Sequence, residues 1–107
     1  MKFESFQLPG VKLVEPDIHH DSRGYFFESY RYDKFFNEEL SMNFIQDNEV
    51  YSSKNVLRGL HYQLNNPQGK LIRCIRGTIL DVAVDIRVDS PTFGKWLSFQ
   101  LSDKNKN

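Results

Sequence analysis

Short runs of alternating apolar and polar residues constrain the fold of this chain more than any other feature. Gly, Pro, Asn and Asp interrupt the sequence at short intervals, and between them Val, Ile, Phe and Tyr recur at every second position. This period of two is typical of a β-strand, whose successive side chains point to opposite faces, and not of an amphipathic helix. The sequence therefore predicts an all-β protein of short, mostly antiparallel strands.

The predicted strands are spread over the whole chain. They cover 11–14, 25–30, 44–51, 56–63, 70–76, 78–87 and 95–101. One helix is predicted over 33–40. Asp33 is placed to cap its first turn, Phe36 belongs to its apolar face, and Lys34 can form an exposed pair with Glu38. Strands of this length and spacing suit a sandwich or a small barrel, whose mouth often holds a ligand.

Two turns and one strand pattern stand out. Residues 21–24 (DSRG) read as a turn, and Gly77, between two alternating runs, is the strongest candidate for a hairpin turn with positive φ. In the run that follows Gly77, Leu80 and its even-numbered apolar neighbours are expected to face the core. Asp81 and Asp85 would then share the opposite, polar face.

Composition bounds the class of protein. The chain has 107 residues, 14 basic and 14 acidic side chains and 39% hydrophobic residues, which suits one domain over 1–107. A zero net charge without a basic block argues against general nucleic-acid binding. The sequence shows neither a membrane-spanning run nor a secretory signal, and its single cysteine, Cys74, reads as a core residue. A cytoplasmic location is the default expectation.

The densest polar cluster contains Arg58 and His61, with Lys70 shortly after it. His61 can act as a general base because an imidazole titrates near neutrality, or it can be an ordinary structural histidine. Lys70 can stabilise an oxyanion or remain a solvated charge. In a regular strand Arg58 and His61 point to opposite faces, so a shared site requires an irregularity such as a bulge at Gly59. No second histidine accompanies His61, which disfavours a histidine metal centre.

Six stretches of the sequence together resemble one protein family. They are 21–30 (DSRGYFFESY), 46–48 (QDN), 55–63 (NVLRGLHYQ), 68–71 (QGKL), 81–87 (DVAVDIR) and 90–94 (SPTFG). In this order, and over about 11–102, they resemble the dTDP-4-dehydrorhamnose 3,5-epimerases. The resemblance implies a cupin-type antiparallel jelly roll that works as a homodimer on a dTDP-linked 4-keto-6-deoxyhexose, with no metal and no organic cofactor.

The resemblance also implies roles for individual residues. His61 would be the base that removes the protons beside the C4 ketone, Lys70 would lie near the developing enolate oxygen, and Asp81 would be a carboxylate on the cavity side. The implied nucleotide-sugar contacts are Arg58 for the pyrophosphate, and Arg23, Glu28, Gln46, Asp47 and Asn48. Arg23 and Glu28 would be offered across the dimer interface.

The family's domain continues beyond the region that matches 95–101, into a segment that supplies a proton-returning tyrosine and an acidic partner for the histidine. We therefore expect a jelly roll incomplete at its C-terminus, and exchange of substrate protons with little inversion. Two alternatives remain open. One is a nucleotide-sugar-binding remnant without full turnover, and the other is an epimerase that acts at one carbon only.

Overall fold

The computed structural model of the chain describes residues 1–38, 40 and 42–107. Within that part it has six strands and one helix. They are β1 (Lys2–Ser5), β2 (Lys12–Glu15), β3 (His19–Asp21), β4 (Gly24–Phe26), α1 (Tyr32–Asn37), β5 (Thr78–Val84) and β6 (Trp96–Ser102). The strands form three antiparallel pairs, β1 with β2, β3 with β4 and β5 with β6. The prediction of a mostly antiparallel β structure with one short helix is confirmed.

The turn predicted at 21–24 joins β3 to β4. Asp21 faces Gly24 across the hairpin, and Gly24 has a φ of 138° that favours glycine. The Asp21 carboxylate accepts a hydrogen bond from the Arg23 backbone N–H at 2.8 Å, which closes the turn. The strand after the turn ends at Phe26 and is shorter than the predicted 25–30.

Gly77 has the predicted positive φ, at 84°, but it does not form the predicted hairpin. The segment before it is irregular, and β5 pairs instead with β6, so that Thr78 faces Ser102 and Val84 faces Trp96. Gly77 exchanges two hydrogen bonds with Asp103: its N–H donates to Oδ2 at 3.0 Å, and its carbonyl accepts from the Asp103 N–H at 3.1 Å. Gly77 and Asp103 thus interact directly beyond Thr78 and Ser102, the last residue pair of the β5–β6 ladder.

The helix lies close to its predicted position, but Phe35 provides its buried contact. Phe35 is 1% exposed and Phe36 is 52% exposed, so the assignment of Phe36 to the apolar face was wrong. The Phe35 ring packs against the rings of Phe3 in β1 and of Tyr30, with centroid distances of 5.1 Å and 4.9 Å. The predicted helix range also includes Glu39, which lies outside the described residues.

The polar contacts of the helix also differ from the prediction. Asp33 provides no cap, because its carboxylate binds the Arg31 guanidinium through two hydrogen bonds of 2.8 Å. Lys34 pairs with Glu28 at 2.7 Å, whereas Glu38 pairs with Lys12 of β2 at 3.4 Å. The predicted Lys34–Glu38 pair is replaced because partners from other segments lie within reach of both side chains.

The predicted strands over 44–51, 56–63 and 70–76 are not formed. A strand needs a neighbouring edge for its backbone hydrogen bonds, and no other segment in the described ranges pairs with this stretch. Its apolar side chains are exposed accordingly, Ile45 to 90% and Leu57 to 86%. Cys74, near its end, is buried as expected of a core residue.

The face of β5 that was predicted to be buried is exposed, and the face that was predicted to be polar and open is the covered one. Leu80 is 69% exposed, whereas Asp85, just after the strand on the face expected to be polar, is 5% exposed. Across β6 the covered face includes Phe99, whose ring packs on that of Phe6 with 5.1 Å between the ring centroids.

Among the residues that the structure describes, none of the helical segments has the length and apolar composition of a membrane span.

Candidate active site

Asp81 lies in the middle of β5 on the covered face of the β5–β6 pair. It is half-buried and stands opposite Phe99 of β6. Burial raises the pKa of the Asp81 carboxyl, and the positive charge of Lys70 partly opposes this rise. Two of the predicted site residues, Asp81 and Lys70, are therefore near enough for the lysine charge to act on the carboxyl, although 70–76 is not a strand.

Lys70 follows a glycine at which another part of the chain approaches closely. The Met42 thioether occupies the space that a Cβ atom at Gly69 would need. A larger residue at 69 would displace Met42 or shift the backbone that carries Lys70. The absence of a Cβ atom at Gly69 thus allows the Met42 side chain to pack against the residue that precedes Lys70.

His61 and Arg58 lie in one irregular, exposed segment. The face argument for a regular strand does not apply here, and Gly59 has a φ of 121° between the two residues. The Arg58 guanidinium donates to Ser52 Oγ at 3.0 Å and to the Tyr51 carbonyl at 3.2 Å. These contacts direct Arg58 toward 51–52, while the imidazole of His61 is exposed to solvent.

The stretch 46–48 is exposed and internally hydrogen-bonded. The Gln46 amide donates to Asn48 Oδ1 at 3.2 Å, and Asp47 between them is exposed. Among the residues that the structure describes, this is the only hydrogen bond that joins two of the predicted site residues. The remaining predicted contacts are therefore arranged separately rather than as one connected network.

The other two predicted contacts lie in and after the β3–β4 hairpin. The Arg23 guanidinium pairs with Asp21 at 2.6 Å. Glu28 accepts from Lys34 at 2.7 Å and more weakly from Arg31 at 3.4 Å, and these cations lower the pKa of its carboxyl. Glu28 also lines a cavity of about 250 Å³. Glu28 is thus held by cations from two residues, Arg31 and Lys34.

Groups of three or more His, Cys, Asp or Glu side chains placed to hold a metal ion are absent from the described residues.

Comparison with known proteins identifies the family. A sequence model described as dTDP-4-dehydrorhamnose 3,5-epimerase matches residues 5–107. The chain belongs to the dTDP-4-dehydrorhamnose 3,5-epimerase family. It is 53% identical over 103 residues to the enzyme of that name from Salmonella typhimurium, covering 92% of this chain and 55% of the relative. It is 48% identical over 105 residues to that from Methanothermobacter thermautotrophicus, covering 98% of this chain and 57% of the relative.

A solved structure shows that the likeness extends to the backbone. The dTDP-6-deoxy-D-glucose-3,5-epimerase from Legionella pneumophila, in complex with dTDP-4-keto-L-rhamnose, matches with a TM-score of 0.91 and 46% identity. The match covers 98% of this chain and 56% of that one, so the chain spans about half the length of the relatives that it matches. The predicted fold class, the cupin-type jelly roll of this family, is confirmed.

Two polar arrangements were not predicted from the sequence. One is the Lys34–Glu28 pair, which joins residues that local helix spacing does not connect. The other is the set of hydroxyl and guanidinium groups that surrounds Asp85. An Asp followed at close range by Arg87, Ser90 and Thr92 is a recognisable signal for a carboxylate-centred loop, because each of these residues can turn back to donate.

Proposed function

We propose that this chain carries the base and the substrate contacts of a dTDP-4-dehydrorhamnose 3,5-epimerase. The reaction converts dTDP-4-dehydro-6-deoxy-D-glucose to dTDP-4-dehydro-L-rhamnose, by inversion at C3 and C5, on the way to dTDP-L-rhamnose. The observation that carries the proposal is the family match over 5–107. The dTDP-4-keto-L-rhamnose bound to the Legionella relative supports the class of substrate.

In the proposed mechanism His61 acts as the general base. Its imidazole takes the proton from a carbon beside the C4 ketone, the C–H electrons form the enolate C=C bond, and the carbonyl electrons move to oxygen. Lys70 supplies the positive partner for that oxygen. Return of a proton to the opposite face of the carbon completes one inversion. The exposure of His61 leaves its imidazole accessible to a substrate.

We propose that the Asp81 carboxylate partly compensates the positive charge of Lys70. The ammonium group of Lys70 is the positive charge that would stabilise an enolate. Because Asp81 is half-buried, its own charge is opposed by desolvation and is supported by Lys70. The two residues are therefore expected to act as a coupled pair.

Anchoring of the nucleotide sugar is assigned to the other predicted contact residues. Arg58 and Arg23 carry planar guanidinium groups that suit phosphate oxygens, so binding energy from the diphosphate can hold the sugar ring against His61. The further proposed contacts are Glu28, Gln46, Asp47 and Asn48. Gln46 and Asn48 already share a hydrogen bond, so they present one amide surface.

The proposal extends to cofactors and assembly. Proton removal and return beside a ketone involves no net oxidation, so we propose that the reaction uses neither a metal nor an organic cofactor. We propose one domain, residues 1–107 forming part of it, and a homodimer in which Arg23 and Glu28 reach the partner's substrate. A cytoplasmic location fits the free thiol of Cys74.

The decisive experiment follows the α-protons of dTDP-4-dehydro-6-deoxy-D-glucose by ¹H NMR in D₂O. Exchange at C3 and C5 supports the proposed base and substrate contacts. Inversion at both carbons would add the full epimerase reaction, whereas exchange with little inversion is the expected result when no acid returns a proton to the opposite face. Inversion at one carbon identifies a single-site epimerase. Binding of dTDP without exchange identifies a nucleotide-sugar-binding protein and contradicts the proposed turnover. The absence of both dTDP binding and proton exchange would overturn the proposal as a whole.

A further inference from the structure

In the cavity beside helix α1, the proposed substrate contact Glu28 forms an ion pair with Lys34, a residue to which the proposed reaction gives no role. The cavity has a volume of about 250 Å³ and is lined by Met1, Asp17, His19, Phe26, Glu28 and Lys34. Asp17 binds the amino group of Met1. Glu28 binds Lys34, whose Nζ lies 2.7 Å from Oε2. Both acidic side chains of the cavity therefore have a cationic partner already in place.

Lys34 is held by the packing of its own helix. Its neighbour Phe35 is the most deeply buried large side chain described, between the rings of Phe3 and Tyr30. The Lys34 side chain is 33% exposed and that of Glu28 is 38% exposed. Because the helix is anchored and both side chains are partly covered, this pair is better fixed than a fully solvated one.

The two oxygens of Glu28 are engaged unequally. Oε2 accepts the short bond from Lys34, whereas Oε1 is approached only by Arg31, at 3.4 Å. Arg31 is itself engaged elsewhere, because its Nε and Nη2 each donate to Asp33 at 2.8 Å. Oε1 thus keeps most of its capacity to accept a further hydrogen bond.

We propose that Lys34 is a positioning residue for nucleotide binding: it fixes Glu28 through Oε2 and leaves Oε1 to accept an N–H or O–H group of dTDP. This rests on the proposed role of Glu28 as a substrate contact. The diphosphate cannot be the partner of Glu28, because two anions repel. The thymine imide N–H and the deoxyribose hydroxyl are the donors that dTDP offers to a carboxylate.

Lys34→Met tests the proposal, because it keeps the apolar stem and removes the donor. We expect the Kd of dTDP, measured by calorimetry, to rise about fivefold. In α-proton exchange, KM should rise by a similar factor while kcat stays unchanged. Lys34→Arg should restore binding. The matched control is Lys2→Met, which breaks the more exposed Lys2–Glu15 pair of 3.2 Å and should leave the Kd unchanged.

Two further variants separate positioning from a general loss of structure. After Glu28→Gln, adding Lys34→Met should weaken dTDP binding no further, because Lys34 acts through the Glu28 carboxylate. Asp33→Asn should also weaken dTDP binding, because it releases Arg31 to occupy Oε1. NMR titration of the Glu28 carboxyl shows directly whether Lys34 holds it: Lys34→Met should raise its pKa, and Lys2→Met should not.

The outcomes separate this inference from the proposed function. Failure of dTDP to bind the unaltered chain, or unchanged binding after Glu28→Ala, overturns the role of Glu28 and this inference with it. Binding that is weakened by Glu28→Ala but not by Lys34→Met overturns the inference alone. Equal losses from Lys34→Met with and without the Glu28 carboxylate do the same, because Lys34 would then act independently of Glu28.

Discussion

Arg87 donates to both carboxylate oxygens of Asp85, from Nε at 2.8 Å and from Nη2 at 2.9 Å. The same guanidinium reaches the Pro9 carbonyl at 3.2 Å, which ties the loop after β5 to the N-terminal segment. Asp85 also accepts from the hydroxyls of Ser90 and Thr92, each at 2.6 Å. Its side chain is 1% exposed, so this carboxylate organises the loop that joins β5 to β6.

Thr92→Val tests the contribution of one of these hydroxyls. Valine keeps the shape of Thr92 and removes its donor, so the buried Asp85 carboxylate loses a hydrogen bond. We expect the free energy of unfolding in urea to fall by about 2 kcal/mol, the usual value for a hydrogen bond to a charged group. Thr78→Val, on an exposed threonine of β5, is the control. Equal effects of the two substitutions would contradict the prediction.

Acid should destabilise the loop around Asp85. Hydrogen bonds from Arg87, Ser90 and Thr92 lower the pKa of Asp85 far below its ordinary value. The unfolded chain therefore takes up a proton first as pH falls, and the stabilisation present at neutral pH is lost progressively below about pH 4. Thermal unfolding between pH 7 and pH 2 measures this loss. Asp85→Asn should reduce the pH dependence, and an unchanged profile would contradict the assignment.

Two neighbouring phenylalanines of α1 offer a matched pair of substitutions. Phe35 is buried against two aromatic rings, whereas Phe36 is mostly exposed. Phe35→Ala should cost about 3 to 5 kcal/mol of unfolding free energy, because it removes buried area and leaves a cavity. Phe36→Ala should cost less than about 1 kcal/mol. Urea unfolding measures both losses. A larger loss for Phe36→Ala than for Phe35→Ala would contradict the assignment of Phe35 to the buried face of the helix.

The sequence predicted elements whose determinants are local. The DSRG turn and the helix depend on residues close in the chain, and each lies near its predicted position. The strands β5 and β6 also lie near their predicted positions, because each provides the partner edge for the other. The alternation in 44–51 and 56–63 has the same period, but a strand also depends on a partner edge that the pattern does not contain. The exposure of Leu80 has a similar origin, because a period of two identifies two faces without saying which one is covered.

The candidate site shows the same division. The family motifs predict His61, Lys70 and Arg58 as site residues by residue type and order. They did not predict that Lys34 would bind Glu28, since that contact depends on where the helix packs relative to the β3–β4 hairpin. Contacts between segments that are set by packing therefore escape a pattern-based prediction.

Asp81→Asn should stabilise the chain at neutral pH. Burial raises the pKa of Asp81, so the folded state keeps its proton to higher pH than the unfolded state, and stability falls as pH rises through about 4. Asparagine removes this cost, so the unfolding temperature should rise at pH 7 and change little at pH 3. Lys70→Met should lower the unfolding temperature at pH 7, because the charge of Lys70 opposes the rise in the pKa of Asp81. Asp89→Asn, at an exposed position, is the control, and a lower unfolding temperature for Asp81→Asn at pH 7 would contradict the prediction.

His61→Ala separates proton transfer from binding. If His61 is the base, exchange of the substrate's α-protons with D₂O should slow by at least about 10²-fold, because general-base catalysis typically contributes that much or more. The Kd of dTDP should stay within about twofold, since the diphosphate contacts act on the ground state while the base acts on the transition state. His20→Ala is the matched control, because His20 is exposed in β3, where its ring lies 6.0 Å from that of Tyr25. Exchange by His61→Ala at the unaltered rate would remove His61 from the mechanism. An equal loss of exchange in both variants would show that the effect is not specific to the imidazole at 61.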